Sequence, residues 1–285
     1  MEVEIISCPV CVSSTIKPYA ARIRPGGPHF LRVRCARCGL IFANPQATKG
    51  QLEAFYQSYY DKGNFEGWKE ETRSWKRTFD PARPTNEIRR LMRHIPQPQG
   101  KRWLEIGAGL GKASYQAQRL GFDVAVTELD PDAEHFLRTE MGIDTIYMGD
   151  FLDLDLPDEH YDVVLIHHVL EHVNDPIATL KAINRVLAPG GIVFIGVPNM
   201  GNAGYRALRM ASYMRMRIPD IVDGIEHTFG FTPRTIRTCL ERSGFAVKRI
   251  ETLGLEQGLR LRPKALFENI FHVKMEITGV KPAYD

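Results

Sequence analysis

Four cysteines near the start of the chain have the spacing of a metal site. Cys8-Pro9-Val10-Cys11 and Cys35-Ala36-Arg37-Cys38 each offer two thiolates from one tight turn, with 23 residues between the pairs. Two such turns close a tetrahedral four-sulfur zinc site, and with every position filled by protein the zinc is structural. A redox pair is the competing reading. A second group is Glu105-Ile106-Gly107-Ala108-Gly109-Leu110-Gly111. Its alternating glycines let the backbone turn sharply and lie against a ligand with no Cβ atoms in the way. The dinucleotide fingerprint requires a third glycine three residues after the second, where Lys112 stands, and no Gly-Lys-Ser/Thr follows for a P-loop. Glu105 sits at the mouth of a buried strand, where a carboxylate is costly without a partner; a cationic ligand supplies one. The third group is His167, His168, His172 and His227, imidazoles suited to moving a proton near neutral pH.

The elements around these residues alternate. Trp103 to Ile106 is an apolar strand, the glycine turn follows, and a helix begins near Lys112. Strand, glycine turn and helix form the first unit of a nucleotide-binding α/β sheet. Further strands are expected at 122–127, 143–148, 161–166 and 192–197, with helices from Pro131 and over 177–187. Strands alternating with helices for nearly 100 residues give a parallel, doubly wound sheet, whose ligands sit beyond the carboxyl ends of the strands. A sixth strand begins at Gly244-Phe245, and Phe271 to Ile277 reads as an antiparallel seventh. Glu128 lies about 20 residues beyond Gly107, where such units bring a carboxylate to ribose hydroxyls. Asp130 caps the next helix, with Pro131 in its first turn. Thr232 caps a helix over 233–242.

Before the glycine turn, extended runs at 16–23 and 30–34 flank the turn Pro25-Gly26-Gly27-Pro28, as in a zinc ribbon. Residues 48–80 read as helical in pieces, either a connector on the sheet edge or a lid, and 84–95 shows helical spacing. The domain reading is therefore a zinc ribbon over 1–45, a helical connector or lid over 46–96, and an α/β domain over 97–285. Within the last, 198–226 is a substrate-lid insertion with methionines and with arginines 206, 209, 215 and 217.

Composition sets the outer bounds. The chain has 285 residues, 44% hydrophobic and 25% charged, ordinary for a globular protein with a sizeable core. Its net charge of +3 is too weak to imply nucleic acid by itself. Met1-Glu2-Val3-Glu4 is unlike a signal peptide, and no apolar run approaches the ~20 residues that span a bilayer. Five cysteines, four of them paired, fit a metal site in a reducing compartment, so the expected location is cytoplasmic.

Glu-x-Gly-x-Gly-x-Gly resembles the first motif of the class I S-adenosylmethionine (SAM) dependent methyltransferases, whose cofactor carries an ammonium and a sulfonium. Gly39-Leu40-Ile41-Phe42-Ala43-Asn44-Pro45, with Phe55-Tyr56 and Tyr59-Tyr60 after it, resembles the junction in bacterial methyltransferases that carry an N-terminal zinc ribbon. The resemblance implies a Rossmann-like, seven-stranded methyltransferase sheet with SAM and structural zinc as cofactors. It further implies that Asp150 contacts the adenine amine and Phe151 covers the ring. The expected cofactor set is Glu105, Gly107, Gly109, Gly111, Glu128, Leu129, Asp150, Phe151 and His167.

The function expected from that resemblance is methyl transfer to a small-molecule acceptor, chiefly O-methylation of a sugar or secondary metabolite. His168 and His227 are the expected residues on the acceptor side. The fourth strand ends in neither Asn-Pro-Pro-Tyr nor Pro-Cys, which weighs against exocyclic amines and a cytosine-type mechanism. An RNA or ribosome modifier and a non-catalytic SAM-binding module are the alternatives. Membrane partners are not expected, and oligomeric state is open.

Overall fold

The computed structural model describes residues 7–20, 31–57, 65–202, 227–253 and 274–283. Three short strands come first: β1 (Ile16–Ala20), β2 (Leu31–Cys35) and β3 (Ile41–Asn44). Helices α1 (Lys49–Tyr56), α2 (Phe65–Thr78) and α3 (Asn86–Met92) lead into the alternating region. That region runs β4 (Arg102–Ile106), α4 (Lys112–Arg119), β5 (Asp123–Glu128), α5 (Pro131–Phe136), β6 (Thr145–Met148), β7 (Tyr161–His167), α6 (Pro176–Val186) and β8 (Leu187–Pro198). It is followed by β9 (Phe229–Gly230), α7 (Pro233–Arg242), β10 (Ala246–Leu253) and β11 (Lys274–Val280). Seven strands form a mixed sheet in the order β10-β11-β8-β7-β4-β5-β6, the Rossmann-like methyltransferase arrangement. Residues 203–226 of the expected lid segment 198–226, the ribbon turn at Pro25–Pro28, and Tyr59-Tyr60 lie outside the described residues.

The chain divides into two compact units. One comprises Gly50–His167, Lys181–Phe194 and Thr278–Asp285. Here β4 pairs in parallel with β5 on one side and β7 on the other, in register Ile106↔Thr127 and Ile106↔Ile166. The chain leaves β4 for β5 and β6, then returns to β7 on the opposite flank. That reversal is the switch point at which open α/β sheets bind ligands. Strands buried on both faces are mainly apolar, and Trp103, Leu104 and Ile106 are at most 3% exposed, with Glu105 the buried polar exception. Ile88, Leu91 and Ile95 join the same core, as their helical spacing requires. Helix α2 is tied down by Arg73 to Glu140 at 3.1 Å and by Glu71 to Lys112 at 2.8 Å, with Trp75 against the Tyr115 ring. Asp130 caps α5 as its position suggested, accepting from Asp132 and Ala133 N–H at 2.8 and 3.1 Å.

The other unit comprises Met1–Lys49, His168–Leu180 and Ile195–Ile277. Its four-stranded sheet has the order β1-β2-β3-β9, antiparallel throughout. The fourth strand is the surprise: Phe229 and Gly230 pair with Phe42 and Ile41, so a segment far along the chain completes the ribbon sheet. Thr232 then starts α7 in a capping box with Thr235, accepting from its N–H at 3.3 Å. A cap of this kind contributes about 1 kcal/mol.

Several strand boundaries differ from the sequence reading: β6 starts at Thr145 instead of Ile143, and β10 at Ala246 instead of Gly244. The fifth strand of the sheet starts at Leu187 instead of Ile192, because Gly190 N–H donates to Lys281 O at 3.0 Å and Gly191 O accepts from Lys281 N–H at 2.9 Å. The Pro-Gly-Gly run thus carries extended pairing as well as a bend. The last strand is Lys274–Val280; residues 271–273 lie outside the described residues.

Candidate functional site

The two Cys-x-x-Cys turns are built alike. Val12 N–H donates to Cys8 O at 2.9 Å, and Gly39 N–H donates to Cys35 O at 3.0 Å. In both turns the residue after the second cysteine is left-handed, Val12 with φ 59 and Gly39 with φ 87. Glycine adopts that conformation freely; a β-branched valine does so only under strain of order 1–3 kcal/mol, which a bound metal offsets. The four Sγ atoms lie within 4.8 Å of one another, with Cys8 to Cys38 at 3.5 Å and Cys11 to Cys35 at 3.4 Å. Sharing one proton across the first pair pushes the Cys8 thiol up and brings Cys38 down to about 5. Four converging thiols are the donor set of structural zinc, and the residues fit that ion.

The unit built on β4 gathers the expected cofactor residues at the carboxyl ends of its strands. Gly107, Gly109 and Gly111 all have positive φ, at 65, 56 and 71. Gly111 also faces a steric limit: a Cβ there would clash with Leu137 Cδ2. The turn is hung on the end of β5, with Gly107 and Ala108 N–H donating to Thr127 O at 3.0 and 3.1 Å.

Glu128 ends β5, buried, and its carboxylate collects three backbone amides: Gly109 at 2.7 Å, Leu129 at 2.8 Å and Asp130 at 3.1 Å. It organises the glycine turn directly, a role the sequence does not reveal. Desolvation still raises its carboxyl above the ordinary range, against those three bonds.

Glu105 is buried at the mouth of β4, and burial, with the Glu87 and Glu128 charges adding to it, pushes its carboxyl up to about 8. Its partner is the Ser114 hydroxyl on α4. Among the described residues no basic side chain pairs with it. A buried carboxylate without a countercharge, beneath a glycine cradle, fits a ligand that brings a cation. Ser114 itself escaped the sequence reading; a serine three residues into a helix after the glycine turn was the available signal.

Asp150 accepts from Leu152 N–H at 2.8 Å and starts a short 3-10 turn that buries Phe151. Gly149 N–H donates to Glu128 O at 3.0 Å, which ties that corner to the same end of the sheet. His167 closes β7 with Nε2 3.9 Å from Glu87. The structure therefore brings Glu105, the three glycines, Glu128, Leu129, Asp150, Phe151 and His167 together within one unit.

The remaining histidines belong to the other unit and surround Glu171. Its carboxylate is fully buried; desolvation opposes its ionisation, but the His168 hydrogen bond and the His172 and His168 charges outweigh that and hold it below the ordinary range. His168 Nδ1 is 3.1 Å from Glu171 Oε1 and His172 Nε2 is 3.8 Å from the same oxygen. His168 is itself left-handed, with φ 57, and its N–H donates to Gly196 O at 2.8 Å. His227 stacks against His172 with centroids 4.8 Å apart, and burial, then the His172 charge, lowers it to about 4. Glu171, the hub, was not singled out from the sequence, although a glutamate placed i+3 from one histidine and beside another was a usable signal.

Comparison with known proteins shows the family and the fold. Residues 75–250 match the family described as a methyltransferase domain. The chain belongs to that family, the SAM-dependent methyltransferases of class I. It is 30% identical over 162 residues to the ubiquinone biosynthesis O-methyltransferase of Xanthomonas axonopodis pv. citri (strain 306), covering 54% of this chain and 66% of that one. The chain thus spans just under two thirds of that relative's length. Among solved structures it resembles the methyltransferase of Haloferax volcanii in complex with its Trm112 activator, with TM-score 0.56 at 17% identity, covering 81% and 99% of the two chains. Magnesium protoporphyrin IX methyltransferase from Synechocystis PCC 6803 with bound S-adenosylhomocysteine gives 0.56 at 14%, covering 82% and 100%. These structural likenesses speak to the fold. Among the described residues no helix is long and apolar enough to cross a membrane.

Proposed function

We propose that the chain transfers the methyl group of SAM to an oxygen of a small-molecule acceptor, a hydroxyl of a sugar or secondary metabolite. The observation that carries the cofactor half is Glu105, buried beside the left-handed glycine turn with the Ser114 hydroxyl as its partner and, among the described residues, no paired cation. The O-methyltransferase relative supports the acceptor half. SAM supplies a methyl carbon already activated by its sulfonium. The protein's work is then alignment and removal of the acceptor proton.

In this reading Glu105 faces the cofactor's cationic end, and Gly107, Gly109 and Gly111 leave room for its backbone-close approach. Glu128, already fixed by three amides, keeps lone-pair capacity for ribose hydroxyls. Leu129, Asp150 and Phe151 hold the adenine side, and His167 completes the wall. His168 takes the acceptor proton: its Nδ1, 3.1 Å from Glu171 Oε1, has a carboxylate to orient its ring, and it follows His167 directly in the chain. His227 stands on the acceptor side with it. Residues 198–226 serve as the substrate lid, 46–96 as the connector, and the free thiols suit the cytoplasm.

Glu105 gives the test. Its folded value, about 8, lies above the ordinary 4.5, so its contribution to stability is full below about 4.5 and is lost as pH rises through about 8. A bound cation reverses that preference. Near neutral pH, binding of S-adenosylhomocysteine therefore releases a proton from Glu105, and the calorimetric enthalpy varies with the ionisation enthalpy of the buffer. Glu105→Gln binds more weakly and loses the part of that buffer dependence due to Glu105. Absence of any S-adenosylhomocysteine binding by the unmodified protein sinks the cofactor assignment. Binding without methyl transfer to any hydroxyl acceptor leaves a SAM-binding module instead.

A further inference from the structure

We infer that Glu171, His172 and His227 form a site for one divalent first-row transition-metal ion, distinct from the four-cysteine centre. One ligand atom from each lies within 4.8 Å of the others. Bonds of about 2.0–2.2 Å hold two ligand atoms at most about 4.4 Å apart, so small side-chain rotations complete the cluster. The decisive atom is Glu171 Oε2. It is buried, and among the described residues no group donates a hydrogen bond to it, whereas Oε1 already serves His168 and His172. A carboxylate oxygen taken out of water and left without a donor is costly, and His172 and His227 each bring a nitrogen within 4.8 Å of this carboxylate.

The backbone fixes this arrangement. Phe229 N–H donates to Glu171 O at 2.9 Å and the Thr228 hydroxyl to His172 O at 3.5 Å, joining the two segments that carry the ligands. Thr228 O in turn accepts from Ala43 N–H at 2.9 Å and from buried Arg32 at 3.4 Å, so the ribbon sheet braces the far side. The His227 ring lies against that of His172, with centroids 4.8 Å apart, so the two imidazoles are held side by side. His168, on the other carboxylate oxygen, orients the glutamate as outer-shell groups do around metals.

Two imidazoles and one carboxylate suit zinc, manganese, iron, cobalt or nickel. Three protein ligands leave a position open for water or an alcohol oxygen. If the O-methyltransferase reading holds, that position receives the acceptor hydroxyl and lowers its pKa; the metal site itself does not depend on that reading.

The probe is Co2+ added to the zinc-loaded, full-length protein. One equivalent should bind with visible d–d absorption from nitrogen and oxygen ligands and without a thiolate charge-transfer band. Glu171→Gln and His227→Ala should each weaken Co2+ binding by about tenfold or more, with the zinc held by the cysteines unchanged. Should one variant fail to fold, seen as lost zinc or an altered melting curve, the other decides. No d–d spectrum at saturating Co2+, a thiolate charge-transfer band, or an unchanged titration in both variants overturns the proposal.

Discussion

Replacing Cys35 by serine lowers bound zinc by one equivalent and opens the ribbon sheet to protease. The serine hydroxyl is a poor ligand for an ion that prefers thiolate, and three remaining cysteines leave the tetrahedron open. Cys35 also ends β2, where its N–H donates to Leu40 O at 2.9 Å, so its turn links two strands of the sheet. The apolar support is small: among the described residues up to Lys49, Val10, Val33, Leu40, Ile41, Phe42, Ala43 and Ala47 are the buried apolar side chains other than the cysteines, and β9 adds Phe229. A structural zinc contributes on the order of 10 kcal/mol to small folds, comparable to the whole stability of an ordinary domain. Four short strands with so small a core cannot make that up. Elemental analysis should show the lost equivalent, and limited proteolysis should cut within the first 49 residues. The glycine turn and Glu128 belong to the other compact unit, so affinity for S-adenosylhomocysteine should persist. Equal zinc content and an unchanged cleavage pattern in the variant rule out the four-cysteine site.

The parts of this molecule that were legible in its sequence are those where one local pattern has one physical solution. Trp103, Leu104 and Ile106 put apolar side chains on both faces of a strand, which the middle of a parallel sheet accommodates, with Glu105 the one polar member, and the glycines after it mark the turn. The cysteine pairs declare themselves by spacing alone. Strand β9 was not legible, because two residues carry no periodicity, and its partner Ile41-Phe42 resembled a connecting segment. Its existence depends on pairing between residues nearly 190 apart. Glu128 was legible as a carboxylate at a strand end, but its three amide donors converge only once the glycine turn has folded over it. Ser114 is a polar residue on the buried side of a helix, meaningful only when Glu105 is found beneath it. Glu171 shows a related limit: its spacing from His168 and His172 was a signal, but that its carboxylate is buried between them appears only in the folded chain.

His168→Asn should lower turnover by about 10²–10⁴-fold, the usual worth of a positioned general base, while cofactor affinity stays near that of the unmodified protein. Asparagine is the informative replacement because the position is left-handed, with φ 57. Asparagine tolerates that conformation several-fold better than most side chains, whereas alanine adds strain and confuses lost chemistry with lost structure. The asparagine amide can still donate to Glu171 Oε1, which otherwise loses the bond His168 makes at 3.1 Å. What it cannot do is accept and release a proton. His227→Ala tests the partner assignment in parallel: an equal loss of turnover with intact cofactor binding keeps both histidines on the acceptor side. Loss of cofactor binding in the His168 variant reassigns that residue to holding the cofactor or the fold. Full activity in both variants means that the acceptor proton leaves by another route, and the hydroxyl-acceptor reading loses its mechanism.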